Sequence, residues 1–535
     1  MRLALVLAAV FSVRVLYLVL SGLDLSPDEA YYWNWSRHLD VGYFSKPPLI
    51  AWINAASTGL FGAHTWAVRF PAVLLGTGTL ALLFFAARDL YGRRAAWITL
   101  LLILATPANV AMNFVMTIDS PLAFGWALAF WAMTRAFFLS RSRVDKTENG
   151  SDAEGSESLL SCCAGPAFWW SLAGVGTVIA TLSKQMGVFL AVLPILSLLA
   201  LRKQPEGFWR RWPVLLTAVL VAAVPVVAWN VANSFVTFTH TGEHFDAKPW
   251  TPAEVLNTLP EFLASQWGLL NPVTATVLAA VIAGGLRRFR HLGDRERFLF
   301  VWGPMPLLIF VLLALRQRVH PNWPLVFYLP CFVLLGGCFA GEITRWSQSH
   351  LRRWLKPALV TGFAMVALMM ALPPVLPALG LAGGRFDAYH RMRGWHELAN
   401  ETFPYLTAEV HGADQAGMSG LAMMSGKRPI LAYTSRHPVD ALTFYLPGHP
   451  RVYRWSDQGI HTQHELWPGP KIHFGKDALV FSDTKFEDSP QATEGFRANF
   501  DVLKPLGEIE IVIGPSRVRR YWLYQGENLQ GWQTF

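Results

Sequence analysis

The feature that most constrains this chain is a series of apolar stretches that are separated by short polar loops. Each stretch is long enough to cross a bilayer as an α-helix, for which roughly 20 residues are needed. Of the 535 residues, 53% are hydrophobic and 15% are charged, whereas soluble proteins carry about a quarter charged residues. These properties exclude a soluble enzyme, a disordered protein and a fibrous protein. The sequence therefore predicts an α-helical polytopic membrane protein.

About eleven spans are predicted, with the length that a bilayer requires. They lie near 3–21, 66–87, 95–113, 120–139, 166–182, 185–201, 212–230, 263–285, 298–315, 323–340 and 357–380. Lys and Arg collect in every second loop, at 88–94, 141–146, 202–211, 287–297 and 345–356. Because basic residues in short loops mark the cytoplasmic side, we expect a cytoplasmic N-terminus and a C-terminal tail on the outer face.

The chain is predicted to divide into a membrane domain, 1–380, and a soluble domain outside the membrane, 381–535. Three runs in the tail have the composition of strands and a fourth begins like a helix: 477–483, 509–514, 521–525 and 394–399. We therefore expect a small α/β or α+β domain. The cytoplasmic loop 140–165 is polar and low in complexity, which predicts a disordered linker.

The outer loop 22–65 contains the first candidate catalytic residues. Ser26, Pro27 and Glu29 have the spacing of a helix N-cap, a first helical residue and a capping box. Asp28 is the freer carboxylate, and it lies in the first turn, where the helix dipole stabilises its ionised form. Aromatic residues follow at once: Tyr31, Tyr32, Trp33 and Trp35. Whether Glu29 is a catalytic residue or a helix cap is left open.

Asp119 is the second candidate carboxylate, between two predicted spans at the outer face. One interpretation is that Asp119 or Ser120 simply caps the next helix, with Pro121 in its first turn. An acidic residue at membrane depth is costly, however, and marks a functional site by default. Asp119 is therefore kept as a catalytic candidate.

Several cations share the predicted outer face: Lys46, Arg69, Lys184, Arg316 and Arg318, with His320 nearby. Basic side chains at span ends often extend to the lipid headgroups. Lys46 precedes a Pro-Pro pair and Lys184 lies in a tight turn, so neither can easily swing away. Converging cations predict an anionic ligand, and in a membrane the ligand expected first is a lipid phosphate.

These motifs resemble a known family. The stretch DEAYYWNWSRHLDVGYFSKPPLIAWI closely resembles the first extracytoplasmic loop of the family 39 glycosyltransferases of the GT-C class. That family includes bacterial lipid A aminoarabinose and galacturonic acid transferases and protein O-mannosyltransferases. Weaker matches to family motifs follow in chain order: TIDSPLAFGWALAF, TLSKQMG, VPVVAWNVANSFVTFTH, HPNWP, RMRGWHELA and LTFYLPGHP.

The resemblance implies a multi-pass enzyme of the bacterial inner membrane. It would move a sugar, with inversion, from a polyprenyl-phosphate carrier to lipid A or another envelope acceptor at the periplasmic face. The resemblance assigns the catalytic carboxylates to Asp28 and Asp119, and the donor phosphate to Lys46 and Lys184, with Arg69 as a further candidate. Candidates for substrate contacts are Tyr31, Tyr32, Trp35, His320 and Asn322. Membrane lipids are expected as partners.

One departure from the family leaves the sugar open. The aminoarabinose enzymes have an acidic residue directly before the motif lysine, where this chain has Ser45. A divalent metal is possible, and no other cofactor is predicted. Nucleic acid is not expected as a partner, because the net charge of +9 is distributed over short loops between spans.

Three alternative functions are considered. A protein O-glycosyltransferase would use the same donor but a peptide acceptor. A transporter of an anionic lipid would explain the outer cations, but it usually has paired repeats with broken helices, and we find no such pairing in the sequence. A non-catalytic membrane scaffold would not explain Asp119.

Overall fold

A computed structural model describes residues 1–148, 165–243, 252–343, 348–407, 429–456, 459–488 and 490–532. Up to residue 407 the described elements are helical. The first ten are α1 (Arg2–Leu20), α2 (Pro27–Ser36), α3 (Leu49–Phe61), α4 (Thr65–Leu104), α5 (Pro107–Phe114), α6 (Asp119–Glu148), α7 (Pro166–Ser183), α8 (Phe189–Ala200), α9 (Phe208–Arg211) and α10 (Pro213–Ala232). The next nine are α11 (Val236–Glu243), α12 (Pro252–Leu270), α13 (Pro272–Arg287), α14 (Asp294–Trp302), α15 (Pro304–Ala314), α16 (Tyr328–Ala340), α17 (Gln348–Arg352), α18 (Leu355–Ala378) and α19 (Trp395–Thr407).

The predicted helical membrane architecture is confirmed. Among the described helices, five are long and apolar enough to cross a bilayer: Arg2–Leu20, Thr65–Leu104, Phe208–Ala232, Asp294–Ala314 and His350–Ala378. Two bent pairs, α5 with α6 and α12 with α13, raise the number of candidate spans to seven. Shorter apolar helices lie at Leu49–Phe61, Gln185–Ala200 and Leu325–Ala340. The exact number of spans, about eleven from the sequence, stays a prediction.

The predicted break between 66–87 and 95–113 is present as a kink. Residues 66–87 and 95–104 belong to two helical segments of α4 that meet at Gly92, inside the predicted loop 88–94. Gly92 has φ = 82°, a backbone conformation that glycine adopts without a steric penalty. The connection is a sharp kink rather than an extended polar loop.

The predicted span 263–285 is interrupted between α12 and α13, where the chain direction bends by 113°. Asn271 has φ = 67°, and its side chain caps α13 by accepting a hydrogen bond from the Thr274 N–H. Pro272 lacks the N–H that a continuous helix would need there. The break is therefore encoded locally, in the Asn-Pro pair.

The helices α6 and α7 cross at a contact between two glycines. A Cβ on Gly125 would lie 2.7 Å from the Gly176 carbonyl oxygen, and a Cβ on Gly176 would lie 2.6 Å from the Gly125 carbonyl oxygen. Small residues allow membrane helices to approach this closely. The crossing brings the first residue of α6, Asp119, near the last turn of α7 and Lys184.

The loops that were predicted on the cytoplasmic side contact one another. The Arg202 N–H donates to Asp294 Oδ1 at 2.9 Å, and Arg295 donates a hydrogen bond to the Leu90 carbonyl at 2.6 Å. The helix α6 continues through Glu148, so 140–148 is helical, in contrast to the predicted linker. The rest of that linker, 149–164, lies outside the described residues.

After residue 429 the chain forms a mixed sheet with short helices. Its elements are β1 (Ile430–Tyr433), α20 (Arg436–Tyr445), β2 (Val452–Arg454), α21 (Gln463–Leu466), β3 (Ala478–Ser482), α22 (Pro490–Arg497), β4 (Phe500–Gly514) and β5 (Arg517–Leu529). The strand order is β2-β1-β3-β5-β4. β1 is parallel to β2 and β3, and β5 is antiparallel to β3 and β4. The three predicted strands and the helix start are confirmed.

The C-terminal part packs directly on the loop that contains Asp28. The Leu25 N–H donates to the Tyr445 hydroxyl at 2.7 Å. Asp24 accepts a hydrogen bond from the Trp395 N–H, at the start of α19, at 2.8 Å. These bonds hold α19 and α20 against the segment immediately before α2.

Candidate active site

The helix α2 begins as the sequence predicted. The Glu29 N–H donates to the Ser26 hydroxyl at 3.3 Å, and the Ser26 N–H donates to Glu29 Oε2 at 2.8 Å, which completes a capping box. Pro27 occupies the first turn. Asp28 takes no part in the cap, and its side chain is 54% exposed.

Glu29 and Arg69 form an ion pair in which both side chains are fully buried. Arg69 Nε lies 2.9 Å from Glu29 Oε1, and Nη2 lies 3.0 Å from Oε2. Arg69 also donates to the carbonyls of Leu23 and Asp24, and Glu29 accepts from the Met116 N–H. This pairing leaves neither group a surface for a substrate. We therefore propose structural roles for both, in place of the catalytic and phosphate-binding roles expected from the sequence.

Asp119, Lys184 and Asn322 come together from three separate segments. Lys184 Nζ lies 3.0 Å from Asp119 Oδ1, and Asn322 Nδ2 donates to Oδ2 at 2.7 Å. Asp119 begins α6, Lys184 follows α7 in an extended conformation, and Asn322 precedes the turn into α16. Both carboxylate oxygens of the buried Asp119 are thus held by donors. The arrangement links one catalytic candidate to one phosphate-binding candidate.

Lys46 lies beside this cluster. The pKa of its ammonium is lowered to about 8, first by burial and then by the neighbouring ammonium of Lys184. The carboxylates of Asp119 and Asp28 act in the opposite direction. Four predicted site residues, two acidic and two basic, therefore influence one another electrostatically at the α2 end of the helices.

The soluble domain contributes an arginine that the sequence analysis missed. Arg436 Nη2 lies 2.9 Å from Asp28 Oδ1, and its guanidinium carbon lies 4.5 Å from the centre of the Tyr31 ring. On the same face of α20, one turn later, the buried Asp440 accepts a hydrogen bond from Asn34 at 3.0 Å. No signal near Arg436 in the sequence points to Asp28, which lies 408 positions away.

The predicted aromatic contacts divide into two kinds. Trp35 is fully buried and stacks on Tyr43 with ring centres 4.4 Å apart, and Tyr31 is held by the Gln463 N–H at its hydroxyl. We therefore propose that Trp35 packs the loop rather than contacts substrate. Burial raises the pKa of the Tyr32 hydroxyl well above its usual value, and the Asp28 carboxylate raises it further. Tyr32 thus stays protonated beside the carboxylates.

His320, which was also predicted to contact substrate, is exposed. Its ring centre lies 5.4 Å from that of Trp323. Among the described residues, no three His, Cys, Asp or Glu side chains lie together as metal ligands. We assign no metal to these residues.

Comparison with known proteins gives one family and a set of relatives. Residues 45–143, which include Lys46 and Asp119, match the family described as dolichyl-phosphate-mannose-protein mannosyltransferase. A lipid A galacturonosyltransferase of Rhizobium johnstonii is 26% identical over 325 residues, which are 60% of this chain and 62% of that protein. An undecaprenyl phosphate-alpha-4-amino-4-deoxy-L-arabinose arabinosyl transferase of Edwardsiella ictaluri is 26% identical over 384 residues, 68% of this chain and 60% of that protein. The chain thus spans about six tenths of the length of these two relatives.

A solved structure covers almost the whole chain. The crystal structure of ArnT from Cupriavidus metallidurans bound to undecaprenyl phosphate has a TM-score of 0.59 at 17% identity, over 98% of this chain and 97% of that one. The chain has an ArnT-like fold. The apo form of the same ArnT gives a TM-score of 0.57 with the same coverage. The resemblance inferred from the DE-aromatic-KPP stretch is confirmed by the family match, the relatives and this fold together. The shared range, 98% of the chain, includes most of the C-terminal sheet.

Proposed function

We propose that this chain is an integral-membrane glycosyltransferase that uses a sugar linked to polyprenyl phosphate. The acceptor is lipid A or another envelope glycan, and the anomeric centre is inverted. The observation that carries the proposal is the contact of Asp119 with Lys184, together with Lys46, which interacts electrostatically with both of them and with Asp28. The names of the relatives support the donor and acceptor classes, since they refer to lipid A and to undecaprenyl phosphate.

The leaving group explains the two lysines. When the sugar is transferred, the bond from its anomeric carbon to the phosphate oxygen breaks, and the carrier leaves as a phosphate monoester. That anion needs no proton, but it gains negative charge during the reaction. Lys46 and Lys184 supply preorganised positive charge where it develops, which stabilises the transition state.

The two carboxylates take different parts in this proposal. If the attacking group is a hydroxyl, a carboxylate must accept its proton, and the exposed Asp28 is placed to do so. Asp119 is already bonded to Lys184 and Asn322, which suits it to fix the lysine and to orient the sugar. If the attacking group is a phosphate, no base is required, and both carboxylates orient the reactants.

A second acceptor class is favoured by one specific match. The description of the family that matches residues 45–143 names protein mannosyltransferases, which act on protein. A peptide hydroxyl would use the same donor site and the same base. This candidate ranks second, because the relatives that match the chain over a longer range, at 60% and 68% of its length, have lipid A or aminoarabinose in their names.

We further propose the bacterial inner membrane as location, with a cytoplasmic N-terminus and with residues 381–535 in the periplasm. Two findings support this orientation. The basic loops 88–94, 202–211 and 287–297 meet at one end of the bundle. The loop 22–65 and the soluble domain meet at the end that contains Asp28.

A deletion strain tests the function. Mass spectrometry would compare lipid A, polyprenyl phosphates and envelope glycans with those of the parent strain. A missing sugar on one product, together with accumulation of the polyprenyl-linked sugar, would support the transferase and identify donor and acceptor. Unchanged glycans with a lipid retained on one leaflet would instead favour a transporter, and loss of a sugar from protein alone would favour the peptide acceptor.

A further inference from the structure

The helix α1 contains an arginine in a segment that mostly faces lipid. Only 6% of this helix is buried. Arg14 lies six residues before Leu20, the last residue of α1. At about 1.5 Å per residue, this places Arg14 about 9 Å from the helix end that meets the loop 22–65. A charged group at that depth is costly and needs a partner.

The side chain that binds Arg14 is an amide and not a carboxylate. Arg14 Nη1 donates to Asn113 Oδ1 at 2.9 Å, and within the described ranges Arg14 forms no ion pair. The amide is fixed in place, because Asn113 Nδ2 donates to Asn109 Oδ1 at 2.9 Å. A Cβ on Gly76 would lie 1.2 Å from Asn113 Oδ1, so only glycine leaves room for it. The positive charge of Arg14 is therefore oriented but not neutralised.

An apolar cleft of about 290 Å³ lies beside this guanidinium, between α1, α5 and α18. Its lining includes Ala9, Val10, Val13, Val110, Phe363 and Val366. Val13 is 58% exposed and Phe363 is 41% exposed, so the cleft opens toward the surrounding bilayer. The Tyr17 hydroxyl donates to the Met370 carbonyl at 3.0 Å and bridges α1 to α18 at the upper end.

We propose that this cleft binds an anionic phospholipid of the surrounding bilayer, with the phosphate on Arg14 and an acyl chain along α1 toward Ala9. The planar guanidinium suits a phosphate, because it can donate two parallel hydrogen bonds. The apolar wall suits the chain, and the lipid supplies the negative charge that the protein lacks. The inference does not rest on the proposed transferase activity.

Native mass spectrometry of the full chain in detergent tests the site, with phosphatidylglycerol and phosphatidylcholine as the two probes. We expect the chain to retain phosphatidylglycerol more strongly. The variant Arg14→Gln should lower that retention about fivefold, since a basic residue near anionic lipid contributes roughly that factor. Arg14→Lys keeps the charge and should retain more lipid than Arg14→Gln. Ala9→Trp keeps Arg14 but fills the cleft, and it should also lower retention.

Arg2→Gln is the matched control, because Arg2 is the other arginine of α1 and lies at its opposite end. This variant should lower phosphatidylglycerol retention less than Arg14→Gln does, because Arg2 does not line the cleft. Equal retention of the two lipids, or retention that is unchanged in both Arg14→Gln and Ala9→Trp, would overturn the proposal. If undecaprenyl phosphate displaced phosphatidylglycerol and its own binding were lost in Ala9→Trp, the cleft would belong to the donor lipid instead.

Discussion

Asp28 and Glu29 are neighbours in the chain, yet the fold gives them different environments. The capping box of Glu29 depends on Ser26, three residues away, and was predictable from the sequence. Its second partner, Arg69, lies 40 positions away, and no local pattern indicates that contact. The sequence therefore left Glu29 with two possible roles, and the buried ion pair favours the structural one.

Removal of the Glu29 charge is expected to destabilise the protein. The variant Glu29→Gln leaves the buried Arg69 charge uncompensated, which costs about 3–5 kcal/mol for a broken buried ion pair. Thermal unfolding of the purified protein measures the loss. The matched control is Glu261→Gln, because Glu261 pairs with Arg318 on the surface, where a change within about 0.5 kcal/mol is expected. Equal unfolding temperatures for the two variants would contradict the structural role.

The lowered pKa of Lys46 predicts how donor affinity depends on pH. Below its pKa of about 8 the ammonium is charged and can bind phosphate, and above that value it loses its proton. The affinity for undecaprenyl phosphate should therefore be constant from about pH 7 to 8 and fall above it, by up to about tenfold per pH unit. Isothermal titration calorimetry measures the dissociation constant.

Lys46→Arg provides the control for that pH dependence, since arginine stays charged throughout this range. Its affinity should show no decrease between pH 8 and 9.5. Lys46→Ala should bind weakly at every pH. If the affinity for undecaprenyl phosphate depended on pH in the same way in the unmodified chain and in Lys46→Arg, Lys46 would not be part of the phosphate site.

At the scale of elements, the crossing of α6 and α7 determines where two site residues meet. The sequence predicted both helices and the tight turn at Lys184. It did not predict that Gly125 and Gly176 would face each other, because that contact depends on how the helices rotate. The break at Gly92 was predicted, because the basic residues of 88–94 interrupt the apolar pattern there. The break at Asn271 was missed, since the residues around it stay apolar and hydropathy does not detect a single residue with positive φ.

The variant Gly176→Ala tests this crossing. Its Cβ would lie 2.6 Å from the Gly125 carbonyl oxygen and the Ala129 nitrogen, so the helices must separate. We expect a loss of about 1–3 kcal/mol in unfolding free energy, typical of overpacking, together with reduced sugar transfer. Gly59→Ala is the control, because no atom lies within 4 Å of its Cβ position. Full activity and stability in Gly176→Ala would show that the crossing does not position Lys184.

At the scale of the whole molecule, the C-terminal sheet domain contributes to the candidate site. Arg436 reaches Asp28 from α20, while Tyr445 on the same helix binds the Leu25 backbone and holds the domain in place. The sequence predicted a small domain with strands in the right places. It could not predict that this domain would contribute a side chain to the site, since that requires the docked arrangement.

Removal of the Arg436 charge should slow sugar transfer without weakening donor binding. Arg436→Gln is expected to lower kcat by roughly 10- to 100-fold, because Asp28 loses the partner that orients it. The KM for the donor should change little, and Arg436→Lys should restore part of kcat. Tyr445→Phe, which removes a docking hydroxyl that binds Leu25 rather than Asp28, should leave kcat near that of the unmodified enzyme. Equal losses in Arg436→Gln and Tyr445→Phe would indicate that Arg436 only holds the domain.

The central claim is that Asp28 acts in sugar transfer from a polyprenyl-phosphate donor. The most direct measurement is mass spectrometry of lipid A and polyprenyl-linked sugars from a deletion strain that expresses Asp28→Asn, beside the same strain expressing the unmodified chain. We predict that the variant inserts and binds undecaprenyl phosphate normally, while the acceptor lacks its sugar and the polyprenyl-linked sugar accumulates. A fully modified acceptor in the Asp28→Asn strain would contradict the account.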